Sequence, residues 1–466
     1  MTTPGVQTKH PTWLWIVAAV VLLAVIGAGA YFAMSQRTAA VVDAGASKPP
    51  LLCLAGSSTI GESLAPGLAQ QFLSEMGASN VQVLPGTTAG EQLVQGVLPG
   101  AKAAPVIRVE TRGTSAGFDA LGSGSCDMVM ATRRIKQEEI TRLPEIGDMS
   151  SASNEHLLAL DGIVIAVNPA NPVRSLTKEQ LTGIFSGSVS DWSQVGGQHG
   201  PINLYSSAEK SESYETFSAL VLGDAQLAGT AKRLDNDAAV ADAVASDGAG
   251  IGFLSLAHVG KAQPIAVSER GATALPPNRF TIATEDYPLS RRLYLYTPAN
   301  PANEYVLRFL QFAASKNGQD TVAAAGFVPQ TVVAQEAATT AGNAPVEYQR
   351  LTRGAGRLSL DFRFLTGRAA LDNKAMADLN RVVDFVGDLG YGGNNILLFG
   401  FCDSTGNPQT NLNLSTERAK TVAAELAKRG LKPGVVVGFG PYLPVASNDT
   451  GEGREKNRRV EIWIRK

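Results

Sequence analysis

Three short loops carry the residue types that could do chemistry: Gly56-Ser57-Ser58-Thr59, Gly113-Thr114-Ser115-Ala116-Gly117 and Ser211-Glu212-Ser213. Each stands at a strand-to-helix corner. Backbone N–H groups at a helix start lack intrahelical acceptors, and the helix dipole adds partial positive charge there, so such corners suit an anion. The same residues also serve as plain turns and N-caps, and it is the three together that point to a ligand. Gly113-x-Ser115-x-Gly117 matches a nucleophile elbow. A hydrolase would still need a base, and only His156, His199 and His258 follow that loop, none in a recognisable context. The first loop lacks the lysine of a P-loop, and no HExxH or paired His/carboxylate helix spacing offers a metal site. These residues describe a binding protein with no cofactor and no metal.

The elements that must hold the loops alternate between strand-like and helix-like patterns from Leu51 to Gln330, which indicates an α/β sheet. Leu51 to Ala55 is a short apolar strand, and Ile60, Leu64, Leu68 and Phe72 recur every four residues as one helix. Val81 to Leu84, Val106 to Glu110 and Met128 to Ala131 are further strands, and Thr177-Lys178-Glu179-Gln180 is a capping box. Cys53 and Cys126 lie in or just before two of these strands. Two separate buried thiols are expected, with a disulfide as the alternative.

The ordered segments GSSTIG, RGTSAGFDAL, CDMVMATRRI, LYSSAEKSESYETF and GIGFLSL resemble the periplasmic phosphate-binding protein family of ABC transporters, over about 280 residues. The resemblance implies a two-lobed, type II solute-binding α/β fold. It further implies that phosphate or a similar small oxyanion is gripped in the cleft by loop amides and hydroxyls, with an ABC permease as a partner. It places Ser58 and Thr59 on the first ligand loop, Ser115 on the second, Ser211 and Ser213 on the third, and Arg133 facing the ligand. Two positions depart from the family. Many relatives read RDDKSGTYDTF in the third loop, whereas here Ser207 replaces the anion-pairing arginine and Glu212 replaces the loop glycine. Arg133 or Arg112 could restore the charge, unless each is exposed or paired structurally. Glu212 would repel phosphate unless it turned outward. Capture of an oxyanion for transport or sensing, and a scaffold whose cleft no longer binds a solute, both stay open.

The last unit is dense in pattern. Leu358 to Phe364 alternates as a strand, Ala375 to Leu389 has apolar Met376, Leu379, Val382, Val383 and Val386 at helical spacing, and Asn395 to Phe401 is a second strand. Ser415 is expected to N-cap a helix through Arg429, and Val435 to Phe439 and Arg459 to Ile464 close an α+β layer pair. The runs GFCDSTGNPQTNLNLSTERAKTV and GFGPYLPVASNDTGEGREKNRRVEI resemble the OmpA-like peptidoglycan-binding family. That resemblance implies recognition of diaminopimelate in the cell-wall peptide. Asp403 falls where the family accepts the ammonium, Arg418 where it forks a carboxylate, and Asn411 and Arg458 on neighbouring motif positions. Cys402 stands beside Asp403 where threonine is usual.

Trp13 to Met34 is free of charge for 22 residues, about 33 Å as a helix and enough to cross a bilayer core. Trp13, Trp15 and Tyr31 sit near its ends. An uncleaved single-pass inner-membrane anchor in the lipid bilayer is expected, with residues 1–12 cytoplasmic and everything later periplasmic. Ala28-Gly29-Ala30 supports the competing reading, a cleaved signal peptide, although 22 residues exceed a usual signal core. Residues 35–50 and 331–350 read as linkers around domains at 51–330 and 351–466. Net charge is -2 over 466 residues, which gives no reason to expect nucleic acid. The charge is uneven: Pro50 to Arg350 holds 20 basic and 29 acidic residues, and Leu351 to Lys466 holds 17 and 12.

Overall fold

The computed structural model describes residues 49–100, 104–209, 211–336, 344–364 and 370–466. The expected membrane anchor lies outside the described residues, and so does most of the first linker. Among the described residues no helix is long and apolar enough to cross a membrane.

Leu52–Gly56 pairs in parallel with Val106–Thr111 on one side and Met128–Ala131 on the other. All five of its residues are buried, as a central parallel strand requires. Ser290–Tyr296 continues this sheet antiparallel to Met128–Ala131, then pairs with the long strand Glu155–Val167. The long strand serves two lobes. Its residues up to Gly162 pair with Ser290–Tyr296, and Ile163 to Val167 pair with Gly250–Ser255. Asn203–Ser207 and Lys232–Leu234 complete the second lobe. Each lobe has its own core. Leu54, Leu68, Phe72 and Phe309 belong to the first, and Ile165, Phe185, Phe217 and Phe253 to the second. The expected two-lobed α/β architecture is therefore present, with the crossing strand as its floor.

Local capping explains where the helices begin. Thr177 accepts from Gln180 N at 3.1 Å while its own N–H reaches Gln180 Oε1 at 2.9 Å, so the expected capping box forms and Lys178–Ser186 follows it. The helix expected from Ile60 through Phe72 is instead two, Ser58–Gly61 and Leu64–Glu75. The four-residue apolar spacing survives the break because both pieces bury that face against one core. Cys53 and Cys126 form a disulfide, against the expectation of two separate thiols. Neighbouring strands bring their Cα atoms to 4.8 Å, within the usual span for such a bond.

The C-terminal sheet runs Ala334–Glu336, Ala355–Arg363, Arg459–Arg465, Ile396–Gly400, Val435–Gly438. Asn373–Asp388 and Pro408–Lys428 bury Leu379, Val382, Val422 and Leu426 in its core. Met376, one of the apolar residues at that helical spacing, is 40% exposed. Ser415 does not cap the last long helix. Asn407 does, with Pro408 in the first turn, a start signal that the sequence carries eight residues earlier. Ser415 sits inside the helix, fully buried, and accepts from Gly440 N at 2.9 Å.

The stretch read as a second linker also carries structure. Ala334–Glu336 adds an edge strand to the C-terminal sheet, and Val346–Thr352 buries Tyr348 among Phe399, Phe401, Phe439 and Trp463. Leu51–Lys466 forms one compact unit rather than two beads on a string. Arg292 joins Glu285 at 2.9 Å and Asp372 at 2.8 Å, Arg357 joins Asp286 at 2.8 Å, and Glu269 accepts from Ser447 N at 2.8 Å. Every one of these contacts except Arg292–Glu285 links the two lobes to the C-terminal domain.

Candidate functional site

In the first loop, the strand Leu52–Gly56 ends on a glycine with φ of +135°, whose added Cβ would meet Met130 O at 2.2 Å. Only glycine fits there, and it turns the chain so that Ser57 caps Ser58–Gly61 by accepting from Ile60 N at 3.1 Å. Ser211 likewise caps Glu212–Phe217 and exchanges a hydrogen bond with Ser207 Oγ at 2.8 Å. Ser58, Thr59, Ser211 and Ser213 together line a cavity of about 230 Å³ between the lobes. Four of the six expected oxyanion residues are thus gathered in one place.

The other two go elsewhere. Ser115 and Arg133 line a different cavity, of about 780 Å³. Arg133 forks Glu139 at 2.7 and 2.8 Å and donates to Ser115 Oγ at 2.9 Å. Burial would raise the Glu139 carboxyl, but the Arg133 guanidinium, Lys136 N and Ser115 hold it down at about 2. The geometry makes Arg133 a structurally paired arginine, and Arg112 pairs with Glu110 at 3.2 Å. Ser213 is also engaged, donating to Asp237 at 2.6 Å.

Glu212 does not turn outward. It is 4% exposed, and its carboxylate lies among the donors of the opposite lobe. Ser57 Oγ donates to Oε2 at 2.5 Å, Thr59 N donates to the same oxygen at 3.0 Å, and Thr114 Oγ1 donates to Oε1 at 3.1 Å. A buried carboxylate needs such donors, and hydrogen bonds to a charged acceptor are the strong ones. Ser57 and Thr114 were not singled out from sequence, although both lie in the two loops that were. Below this contact Arg291 holds Asp161 at 2.7 Å and donates to Glu212 O at 3.2 Å, to Thr216 Oγ1 at 2.9 Å and to Thr59 Oγ1 at 3.5 Å. Glu62, Asp235 and Asp237 also line the cavity, with His258. Burial raises the Glu62 carboxyl, and the Asp237 and Glu212 charges add to the rise while His258 opposes it.

At the C-terminal site Asp403 follows the strand Ile396–Gly400. Its Oδ1 accepts from Thr405 N at 3.0 Å and from the Thr405 hydroxyl, and its Oδ2 accepts from Arg458 at 3.1 Å. Asn411 pins the same loop by donating to Asp403 O and Thr405 O at 3.3 and 3.0 Å. Burial would raise the Asp403 carboxyl, but Thr405 and Arg458 hold it below the usual range, so it stays ionised. Arg418 lies in mid-helix rather than the first turn expected. Its guanidinium is 5.7 Å from the Phe364 ring, and its Nη1 is buried with no hydrogen-bond partner among the described residues. Burial and the nearby Arg458 lower its pKa from the ordinary value. Cys402 is a buried free thiol that burial pushes up to about 12, so it is packing rather than chemistry.

Comparison with known proteins assigns both regions. Residues 74–317, more than half of the chain, match the model of the PBP superfamily domain. The chain belongs to the PBP superfamily. Residues 363–458 of this PBP-superfamily chain match the OmpA family, a span that includes Asp403, Asn411, Arg418 and Arg458. Phosphate-binding protein PstS of Staphylococcus saprophyticus is 31% identical over 227 residues, 47% of this chain and 69% of the relative. Protein SphX of Synechococcus elongatus is 28% identical over 245 residues, 50% of this chain and 72% of the relative. A solved ABC-type phosphate transport receptor from Vibrio cholerae is 24% identical, with a TM-score of 0.46, and covers 59% of this chain and 99% of that structure. The PBP-superfamily chain thus joins a PstS-like domain to an OmpA domain, and it belongs with the solute-binding proteins rather than with enzymes.

Proposed function

We propose that this chain is a single-pass protein of the inner membrane that tethers a PstS-like domain to the cell wall, with its folded unit in the periplasm. Its OmpA domain binds the diaminopimelate of peptidoglycan, Asp403 taking the ammonium and Arg418 the carboxylate. The single observation that carries this is the buried, unpartnered Nη1 of Arg418 beside an ionised Asp403. An unsatisfied buried donor costs about 1 to 3 kcal/mol, and a ligand carboxylate would relieve it. The test is pelleting of the detergent-solubilised full chain with peptidoglycan of the diaminopimelate type and of the lysine type. A lysine side chain lacks the second carboxylate, so retention should be confined to the diaminopimelate polymer. Equal retention on both would remove Arg418 from recognition.

The cleft belongs, on this reading, to the small-oxyanion class, phosphate above all, because the chain is similar to a relative named for phosphate and Ser58, Thr59, Ser211 and Ser213 line the cleft. A partner permease in the same membrane follows from that class. One observation favours the second reading, a scaffold without solute: the Glu212 carboxylate already uses the loop donors. Residues 13–34 are the anchor, and mass spectrometry of the mature protein tests it. A chain that begins at Tyr31 would mean a signal peptide instead.

A further inference from the structure

The cleft holds an anion that the chain itself supplies. Ser57 Oγ, Thr59 N and Thr114 Oγ1 all come from the first lobe, and all three donate to the Glu212 carboxylate of the second. The two oxygens are engaged from different loops, and Ser57 and Glu212 are both shut away from solvent. Arg291, in the strand Ser290–Tyr296 beside the one that crosses between the lobes, fixes the Glu212 backbone carbonyl and the Thr216 hydroxyl, so the helix start carrying Glu212 is braced from below. Nothing in this arrangement resembles a surface side chain that has strayed inward.

We propose that Glu212 is a tethered anion that latches the two lobes together through the oxyanion loops, so that a free oxyanion enters only by displacing it. The proposal rests on the reading of the cleft as an oxyanion site. A tethered group acts at an effective concentration in the millimolar range or above, and competes continuously with a free ligand. Free phosphate would also meet Glu62, Asp235 and Asp237 around the same cavity. The position that glycine holds in many relatives has therefore become a selectivity element: it decides whether the cleft is open to solute at all.

The experiment uses the full chain in detergent, as wild type, E212G and E212Q. Inorganic phosphate and sulfate are titrated calorimetrically, and hydrogen exchange is followed over the segment 56–63, which contains the Thr59 amide. Wild type should show that segment protected without phosphate and give no heat. E212G should lose the protection and take up phosphate at least about 100-fold more tightly, the lower end of what tethering contributes, with protection restored on binding. E212Q keeps the shape and loses the charge, and should fall between them; it also serves where E212G folds poorly. Unchanged protection in both variants overturns the latch, as does wild-type phosphate affinity equal to that of E212G. A segment that opens in E212G while neither phosphate nor sulfate binds leaves the latch standing and defeats the oxyanion reading.

Discussion

Arg291 and Arg292 are neighbours on one strand, and they hold different bodies. Arg291 reaches Asp161 at 2.7 Å and the Glu212 carbonyl in the cleft, whereas Arg292 reaches Asp372 of the C-terminal domain at 2.8 Å. Alternation along a strand sends consecutive side chains to opposite faces, so one strand braces the cleft on one face and docks the OmpA domain on the other. The C-terminal domain is consequently held by the same element that holds the latch.

Arg292→Ala should therefore damage the docking. It leaves Glu285 and Asp372 without their closest cation, and breaking a buried pair by removing one partner costs about 3 to 5 kcal/mol. Urea unfolding followed by far-ultraviolet circular dichroism should show a loss of that order, together with a second transition as the C-terminal domain separates. A single transition at the wild-type midpoint would show that the pair contributes nothing to docking.

Much of this architecture was legible. The Thr177 capping box, the strands and the loops around Ser58, Ser115 and Ser211 all follow from spacing and turn chemistry, because these are local signals. The interface was not legible. Arg291 with Asp161, Arg292 with Asp372 and Asp286 with Arg357 are pairs between residues far apart in sequence, so each residue looks like an ordinary surface charge. Residues 331–350 looked like a linker because the edge strand Ala334–Glu336 has all three side chains exposed and lacks an apolar face. Glu212 was singled out for the right reason, a carboxylate where many relatives have glycine, yet the direction of its side chain depended on Ser57 and Thr114, two residues not weighed as partners. The resemblance places Arg133 facing the ligand and leaves a structural pairing open; the partner it finds is Glu139, six residues on.

The interface should make stability depend on pH in two opposed ways. Burial would raise the Glu285 carboxyl, but Arg292, Lys374 and Arg363 hold it down at about 2, against an ordinary value of 4.5. Between these values the unfolded chain binds more protons, so this contribution is full above pH 4.5 and is lost as pH falls through 2. Burial raises Asp361 from 3.8 to about 7, Asp286 and Glu461 adding to the rise while Arg357 opposes it. Here the folded chain binds more protons between 3.8 and 7, so stability falls as pH rises through that window. Urea midpoints measured from pH 3 to 8 should peak near pH 4, where the rise through the Glu285 window meets the fall through the Asp361 window. Asp361→Asn should flatten the decline on the neutral side, and an unchanged slope in that variant would remove Asp361 as its source.

The Cys53–Cys126 disulfide spans 73 residues of sequence. In the chain-entropy view, closing a loop of that length stabilises by roughly 4 kcal/mol. Cys53→Ala with Cys126→Ala should lower the unfolding free energy of the first lobe by that order, and the effect should match that of a thiol reductant on wild type. Reductant-insensitive unfolding of wild type would mean that the bond is not formed. Cys402, buried and with its thiol raised, should stay unlabelled by a thiol reagent until the chain unfolds.

At the C-terminal site the charges set the direction of every substitution. Asp403 already pairs with Arg458 at 3.1 Å, whereas Arg418 has a nitrogen with no partner among the described residues, and burial together with the nearby Arg458 lowers its pKa. A ligand ammonium at Asp403 and a ligand carboxylate at Arg418 would complete both. Removing either side chain leaves one ligand charge unpaired in a partly desolvated site, which costs about 2 to 5 kcal/mol, or from 30-fold to several thousand-fold in affinity. Asp403→Ala should also free Thr405 and Arg458, so some of its loss is structural, whereas Arg418→Ala removes a group that holds nothing else by hydrogen bonds from Nη1. Arg418→Ala is therefore the cleaner probe: the full chain should lose no more than about 1 to 2 kcal/mol of unfolding free energy, the scale of its contact with the Phe364 ring, and lose retention on diaminopimelate-type peptidoglycan. Arg418→Lys should recover only part of it, because a lysine cannot fork a carboxylate. Full retention by a folded Arg418→Ala chain would exclude this arginine from the wall contact and leave Asp403 and Arg458 as a pair that merely shapes the loop.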